Sequence, residues 1–320
     1  MLKLLLLASD VSKQQISAVF QHLEEANELR IEWLDGARQG QLSSVIEGLP
    51  ITQFDRVLVW LPFKRLYSQI PALRKLSKLI VFDPILHELA SIEGEALHRH
   101  VKLCKALPWA RFVVSGQKRQ RWLKKQGVDV FWLPPFLGLL PVEAEAAEKT
   151  NSVCFLGDPE LSEYKQHKEM LYDVRRELKI HIVDNGASLV EKLQVLDSSL
   201  MCFACDSPYG GVRRQTLEAF AAGCLVLLWS ADKDECADLG LVDMENVALV
   251  DSKEALVAKV NFLQRHEDQL SRIVSSGQSW LATLEVQAGM CLEAIIEPSF
   301  GERKLTPCSV IFRTSPKLNT

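Results

Sequence analysis

No glycine precedes Gly36 in this chain of 320 residues. The first apolar run, residues 2–8, is therefore followed by no G-x-G-x-x-G turn, and the usual dinucleotide fingerprint is missing. Also absent are G-x-x-x-x-G-K-[ST], G-x-S-x-G and H-E-x-x-H, which carry the strongest cues for a P-loop ATPase, a serine hydrolase and a zinc protease. No apolar run approaches the roughly 20 residues of a membrane span. The opening MLKLLLLASD has a short apolar run with no clear cleavage site, so it reads as a first buried strand rather than a signal peptide. Eight cysteines, at positions 104, 154, 202, 205, 224, 236, 291 and 308, are scattered and fall mostly in apolar runs. That is no secreted disulfide framework. The expected compartment is the cytoplasm.

What is present is a strand–helix rhythm over a chain that is 48% apolar and 24% charged. Strands are expected at 2–8, 29–34, 56–61, 79–82, 111–115 and 128–133, with helices at 12–25, 40–48, 66–76, 86–106 and 117–126. The strands are apolar on both faces, as in a parallel sheet covered by helices on each side. Pro134, Pro135 and Pro141 then interrupt the pattern, and 141–151 reads as a linker. A second rhythm follows. It has strands at 153–158, 179–183, 200–204, 224–229 and 247–250, and helices at 164–178, 188–196 with a serine cap, 213–222, 254–264 and 267–295. The expectation is α/β, with two doubly wound Rossmann-like domains, 1–140 and 152–297, a cleft between them, and a tail 298–320. The net charge of −4 conceals an asymmetry: residues 1–140 carry 19 Lys and Arg against 13 Asp and Glu. A basic first half suits an anionic acceptor or surface.

The most informative stretch runs from Met201 to Glu235. A strand ends in the turn 206–211, which holds Gly210 and Gly211. A helix then begins at Arg213 and Arg214 and stops at Gly223. Free N–H groups and the macrodipole favour an anion at such a helix start, and guanidinium groups add charge that pairs bidentately with phosphate. The carboxylate of Glu218 lies inside the same helix. Phosphate-binding and hydroxyl-binding groups side by side suit a ligand carrying both.

These residues resemble a known family. The segment GGVRRQTLEAFAAGCLVL is similar to the donor-site segment of GT-B glycosyltransferases, closest to the bacterial branch that includes spore-coat glycosyltransferase-like proteins. The pattern LGLVDMENVALVDSKEALVAKVNFLQRHEDQLSRIVSSG downstream, and VVSGQKRQRWLKKQGVDVFWLPPF upstream, extend the resemblance over roughly residues 110–285. It implies two Rossmann-like domains and transfer of a sugar from a nucleotide-diphosphate sugar, in polysaccharide biosynthesis, to a glycan, lipid-linked or protein acceptor. Neither a cofactor nor a metal is expected. Glu218 would bind the ribose hydroxyls. Gly210, Gly211 and Gly157 would let backbone approach the diphosphate, and Lys165, with Lys168 as its rival, would neutralise it beside Arg213 and Arg214. The turn Asp184-Asn185-Gly186 lies where relatives hold the nucleobase. The chain departs from the pattern at Gly210, where many relatives carry a first glutamate, and at Asp158, where they often have an arginine.

Other residues admit plainer roles. Asp83 and His87 could supply the general base that an inverting enzyme needs, or simply cap a helix and fill a core. Cys202 and Cys205 have redox spacing but fall inside a strand, which favours a structural role. His98 and His100, two apart on a helix, point to different faces. The basic run Lys118–Lys125 could rest on an anionic membrane at its inner face, or be a solvated helix face. No nucleic-acid-binding module is visible. Two alternatives to transfer remain open: a catalytically inactive GT-B-like scaffold, and a nucleotide-sugar epimerase on the same fold.

Overall fold

The computed structural model describes residues 1–82, 95–137, 149–157, 168–183, 187–205, 212–229 and 233–297. The chain forms two compact units, Met1–Leu139 together with Gln287–Thr320, and Leu140–Val286.

In the first unit, six strands are β1 (Lys3–Ser9), β2 (Glu28–Leu34), β3 (Arg56–Trp60), β4 (Leu79–Phe82), β5 (Arg111–Val114) and β6 (Phe131–Trp132). They pair in parallel in the order β2-β1-β3-β4-β5-β6. Side chains alternate across a strand, so a strand dry on both faces feeds two cores. Leu5, Leu7, Val57, Val59, Val81 and Phe112 enter one core. Leu4, Leu6, Ala8, Leu58, Ile80 and Val113 enter the other, with Phe20, Leu23 and the helix residues Cys291, Leu292, Ile295 and Ile296.

Those last residues end a long helix, Glu267–Ile296, whose final carbonyls have no intrahelical donors. Two arginines supply them. Arg56 donates from Nε to the Ile296 carbonyl at 3.1 Å and from Nη2 to that of Glu297 at 2.8 Å. Arg111 donates to the carbonyl of Ile295. Cations at a helix C-terminus also oppose the negative end of its dipole. Burial, and secondarily the charge of Arg111, lowers the pKa of Arg56 below the usual arginine value.

In the second unit, β7 (Asn151–Leu156), β8 (His181–Val183), β9 (Ser199–Cys205), β10 (Leu225–Trp229) and β11 (Ala248–Val250) form a parallel sheet ordered β11-β10-β9-β7-β8. Val153, Phe155, Met201, Phe203, Leu225 and Leu227 fill the core on one face. Cys154, Cys202, Ala204, Val226 and Leu228 are buried on the other. The seven described cysteines are free thiols and all are buried. Cys202 and Cys205 therefore sit within β9, as their place in an apolar run implies.

The structure refines several expected boundaries. Residues 40–48 form two helices, Gly36–Gly40 and Leu42–Glu47, meeting at Gln41. Residues 66–76 likewise divide into Phe63–Ser68 and Ile70–Leu73. Pro71 falls in the first turn of the second, where its missing N–H is tolerated, but it cannot continue the first. The strand expected at 128–133 reduces to the two residues of β6 at the sheet edge. The serine cap holds: Ser188 and Glu191 form a reciprocal capping box before the helix Leu189–Asp197. Ser252 likewise caps Lys253–Arg265. Most of the expected linker and the whole tail lie outside the described residues.

Gly277, on the long helix, lets the helix Arg214–Ala221 come close. A Cβ there would stand 2.8 Å from the Asn246 carbonyl and 2.8 Å from the Phe220 ring. Phe220 in turn packs on Trp280, with ring centroids 4.9 Å apart. Gly277→Ala is expected to destabilise the fold by about 1–3 kcal/mol through overpacking. Urea unfolding measures this, and a midpoint equal to wild type would contradict the close approach.

Candidate functional site

In the second unit the chain runs from β7 to β8 on one side and then returns to β9 on the other. The strand order therefore reverses between β7 and β9. Ligands of open parallel sheets bind outside the carboxyl ends of strands at such a point. Gly157 follows β7 there with φ 148°, and its N–H donates to the Val183 carbonyl at 2.9 Å. A positive φ of this kind favours a residue without a Cβ. The helix Arg214–Ala221 follows β9 and brings its N-terminus to the same edge.

Three predicted residues meet on that helix. Arg213 is its N-cap, in extended conformation, and its side chain is buried. Arg214 donates from Nε to Glu218 Oε1 at 2.8 Å, one helical turn on. Glu218 is only 4% exposed. Arg213 is buried, whereas Arg214 is 25% exposed and engaged by Glu218. Thr216 is buried beside them, and its hydroxyl has no hydrogen-bond partner among the described residues. The helix stops at Gly223 (φ 66°), where Cys224 N–H bonds the Ala219 carbonyl and Gly223 N–H that of Phe220. This Schellman motif needs a left-handed residue, and glycine takes that conformation without strain.

The Glu218 carboxyl is held above its ordinary value of 4.5. Burial raises it, and the charge and hydrogen bond of Arg214 and the charge of Lys192 only partly oppose that. Sequence reading missed Lys192. It lies on the helix Leu189–Asp197, and no local pattern pairs it with Glu218. Also missed is Glu235, buried on the helix Lys233–Asp238 just beyond β10, the neighbour of β9.

Asp83, His87, Lys165, Asn185, Gly186, Gly210 and Gly211 lie outside the described residues. Lys168 opens the helix Lys168–Leu178 and is half-buried. In the first unit, His98 is exposed and His100 buried, so the two do face apart. A guanidinium has only donors, so Arg119 donates from Nη2 to His100 Nδ1 at 2.7 Å, and Phe63 stacks on that imidazole. Arg119 and Leu123 thus turn inward from the helix Gln117–Lys125, leaving Lys118, Arg121, Lys124 and Lys125 exposed. Among the described residues no helix is long and apolar enough to cross a membrane.

Comparison with solved structures places this architecture. Anabaena HepE in complex with UDP-glucose superposes with a TM-score of 0.62 at 13% identity, covering 92% of this chain and 100% of that one. The chain has the GT-B fold. Sucrose-phosphate synthase from Thermosynechococcus elongatus gives a TM-score of 0.62 at 10% identity, over 91% of this chain and 97% of that one. The pneumococcal O-GlcNAc transferase GtfA, in complex with UDP and GlcNAc, gives 0.56 at 13% identity, over 81% and 58%. No family model and no curated protein sequence matches.

The raised carboxyl has a consequence for stability. A carboxyl whose folded pKa exceeds its unfolded value contributes stability below the unfolded value and loses it as pH rises through the folded one. Glu218→Gln removes that loss and keeps an acceptor for Arg214. The melting temperature of the variant is expected to gain on wild type as pH rises from about 4.5 toward neutrality. A gap moving toward wild type would mean that the Arg214 pair outweighs burial.

Proposed function

We propose that this protein is a glycosyltransferase that moves a sugar from a nucleotide-diphosphate donor, held by the second unit, to a glycan, lipid-linked or protein acceptor. One observation carries the reading: Arg213, Arg214 and Glu218 gather at a helix N-terminus, on the switch point of the second sheet of a GT-B fold. HepE, which shares that fold, holds UDP-glucose.

The residues divide the work by their chemistry. Arg213, Arg214 and the helix N-terminus stabilise the charge that develops on the leaving diphosphate, as preorganised donors do. Gly157, with Gly210 and Gly211, gives backbone access to it. Glu218 holds Arg214 with one oxygen and has acceptor sites left for ribose hydroxyls. The unpartnered Thr216 hydroxyl supports a polar ligand at this helix. With this much positive charge supplied by the protein, transfer proceeds without a metal or an added cofactor. Asp83 or His87 serves the acceptor on the first unit. The enzyme works in the cytoplasm, and exposed Lys118, Arg121, Lys124 and Lys125 give it an attractive face for an anionic inner membrane.

Calorimetric titration with UDP, GDP, TDP and CMP tests the donor class. One nucleotide is expected to bind saturably, and Arg213→Ala and Glu218→Ala each to weaken it by about 10- to 100-fold, the worth of a charge-assisted hydrogen bond. Folded protein that binds none of the four would overturn the placement of the donor site. Binding without any hydrolysis of the matching nucleotide sugar would favour a scaffold.

A further inference from the structure

Among the described residues, four helices end in the same motif, and one of them breaks the pattern. After the helices ending at Lys125, Ala221 and Asp238, the left-handed position is glycine: Gly127 at φ 74°, Gly223 at φ 66° and Gly240 at φ 72°. In each, the next N–H reaches back to a carbonyl inside the helix: Val128 to Leu123 at 3.0 Å, Cys224 to Ala219 at 3.0 Å, and Leu241 to Cys236 at 2.8 Å. The helix Lys168–Leu178 closes in the same way, with Ile180 N–H on the Arg175 carbonyl at 3.1 Å. Its left-handed residue, however, is Lys179, at φ 52°. A side chain at such a φ is strained, because its Cβ crowds the following carbonyl. A position where glycine would be more stable has thus been given an exposed ammonium group.

Lys179 lines a cavity of 850 Å³ together with Asn151, Asp173, Arg175, Arg176 and His181. Arg175, Arg176, Lys179 and His181 are all exposed, and none has an ion pair among the described residues. The one carboxylate of the set, Asp173, is engaged at 3.3 Å by Lys253. Three residues with permanent positive charge and a histidine therefore line one concavity, in the half of the chain that is acidic overall. The dipole of a helix C-terminus is complemented by one or two cations in the last turn, and Arg175 and Arg176 already provide them. Lys179 adds charge beyond that need. The volume is within the range of small-molecule sites.

The cavity also stands apart from the donor site. Asn151 begins β7 and His181 begins β8, so it opens at the amino ends of the strands. The switch point lies at the carboxyl ends, about 17 Å away along β7 at the usual rise per residue.

We propose that this cavity is a second anion site, built for a small molecule whose charged end is a diphosphate. Two arginines can each pair with phosphate oxygens in a planar fork, and the lysine is a point charge beside them. The proposal does not depend on the donor site and stands if that assignment fails.

Inorganic pyrophosphate is the probe, and the His181 imidazole signal in NMR, assigned through His181→Gln, is a local reporter. Millimolar pyrophosphate is expected to shift that signal saturably. Lys179→Gly, which adopts the solution used at the three other helix ends, is expected to melt about 2 °C higher and to bind at least about tenfold more weakly, the loss of one charged contact. Arg176→Gln is expected to weaken binding to a similar degree. In Arg213→Ala the His181 response is expected to persist. Three results would each overturn the proposal: no response of His181 up to about 10 mM pyrophosphate, unchanged affinity in Lys179→Gly, or loss of the response in Arg213→Ala.

Discussion

A parallel strand with two dry faces must be covered twice, and much else here follows from that. The ladder pairs only in-plane backbone groups, and each face needs helices that return the chain to the same end of the sheet. In both sheets the order turns back beside the first strand of the unit. That leaves the carboxyl ends of two adjacent strands without a crossover lying over them. The arginines and glutamate of the second unit stand at that opening because the helix after β9 must begin there.

The burial of Glu218 is the costly element of the arrangement. An ionised carboxylate taken out of water is unfavourable unless it is paired. Arg214, one turn away, supplies the pair at 2.8 Å, yet burial still dominates the carboxyl's proton affinity. A fold that only had to be stable could place an apolar side chain here, as Leu217 and Phe220 do on the same helix. Under the proposed function, the ion pair in this position serves a ligand rather than the stability of the fold.

The features legible in the sequence were those set by local pattern. Runs such as Leu4–Leu7 and Leu225–Leu228 announce strands buried on both faces. Gly223 marks a helix stop, Ser188 a cap, and Glu218 falls one turn after Arg214. The residues that escaped depend on contacts distant in sequence. Arg56 and Arg111 begin strands, and their task at the end of a helix some 180 to 240 positions later leaves no trace in either segment. The charge of Lys192 acts on Glu218 from a different helix. Lys179 looks like any surface lysine, because a left-handed φ is invisible when the residue is not glycine. Breaks in helices were also underestimated, although Pro71 was in plain view for one of them.

The buried thiols give the molecule a property of a different kind. Cys104 and Cys291 lie in the first unit, and Cys154, Cys202, Cys205, Cys224 and Cys236 in the second. Cys154 and Cys202 are side by side in register on neighbouring strands. A hydrogen bond to Cys154 and burial hold the Cys202 thiol well above its normal range, which withholds the reactive thiolate. An alkylating reagent reaches such sulfurs only through opening of the surrounding core. The two sets therefore act as built-in clocks, one for each unit, and the rate at which each is capped reports how often that unit breathes.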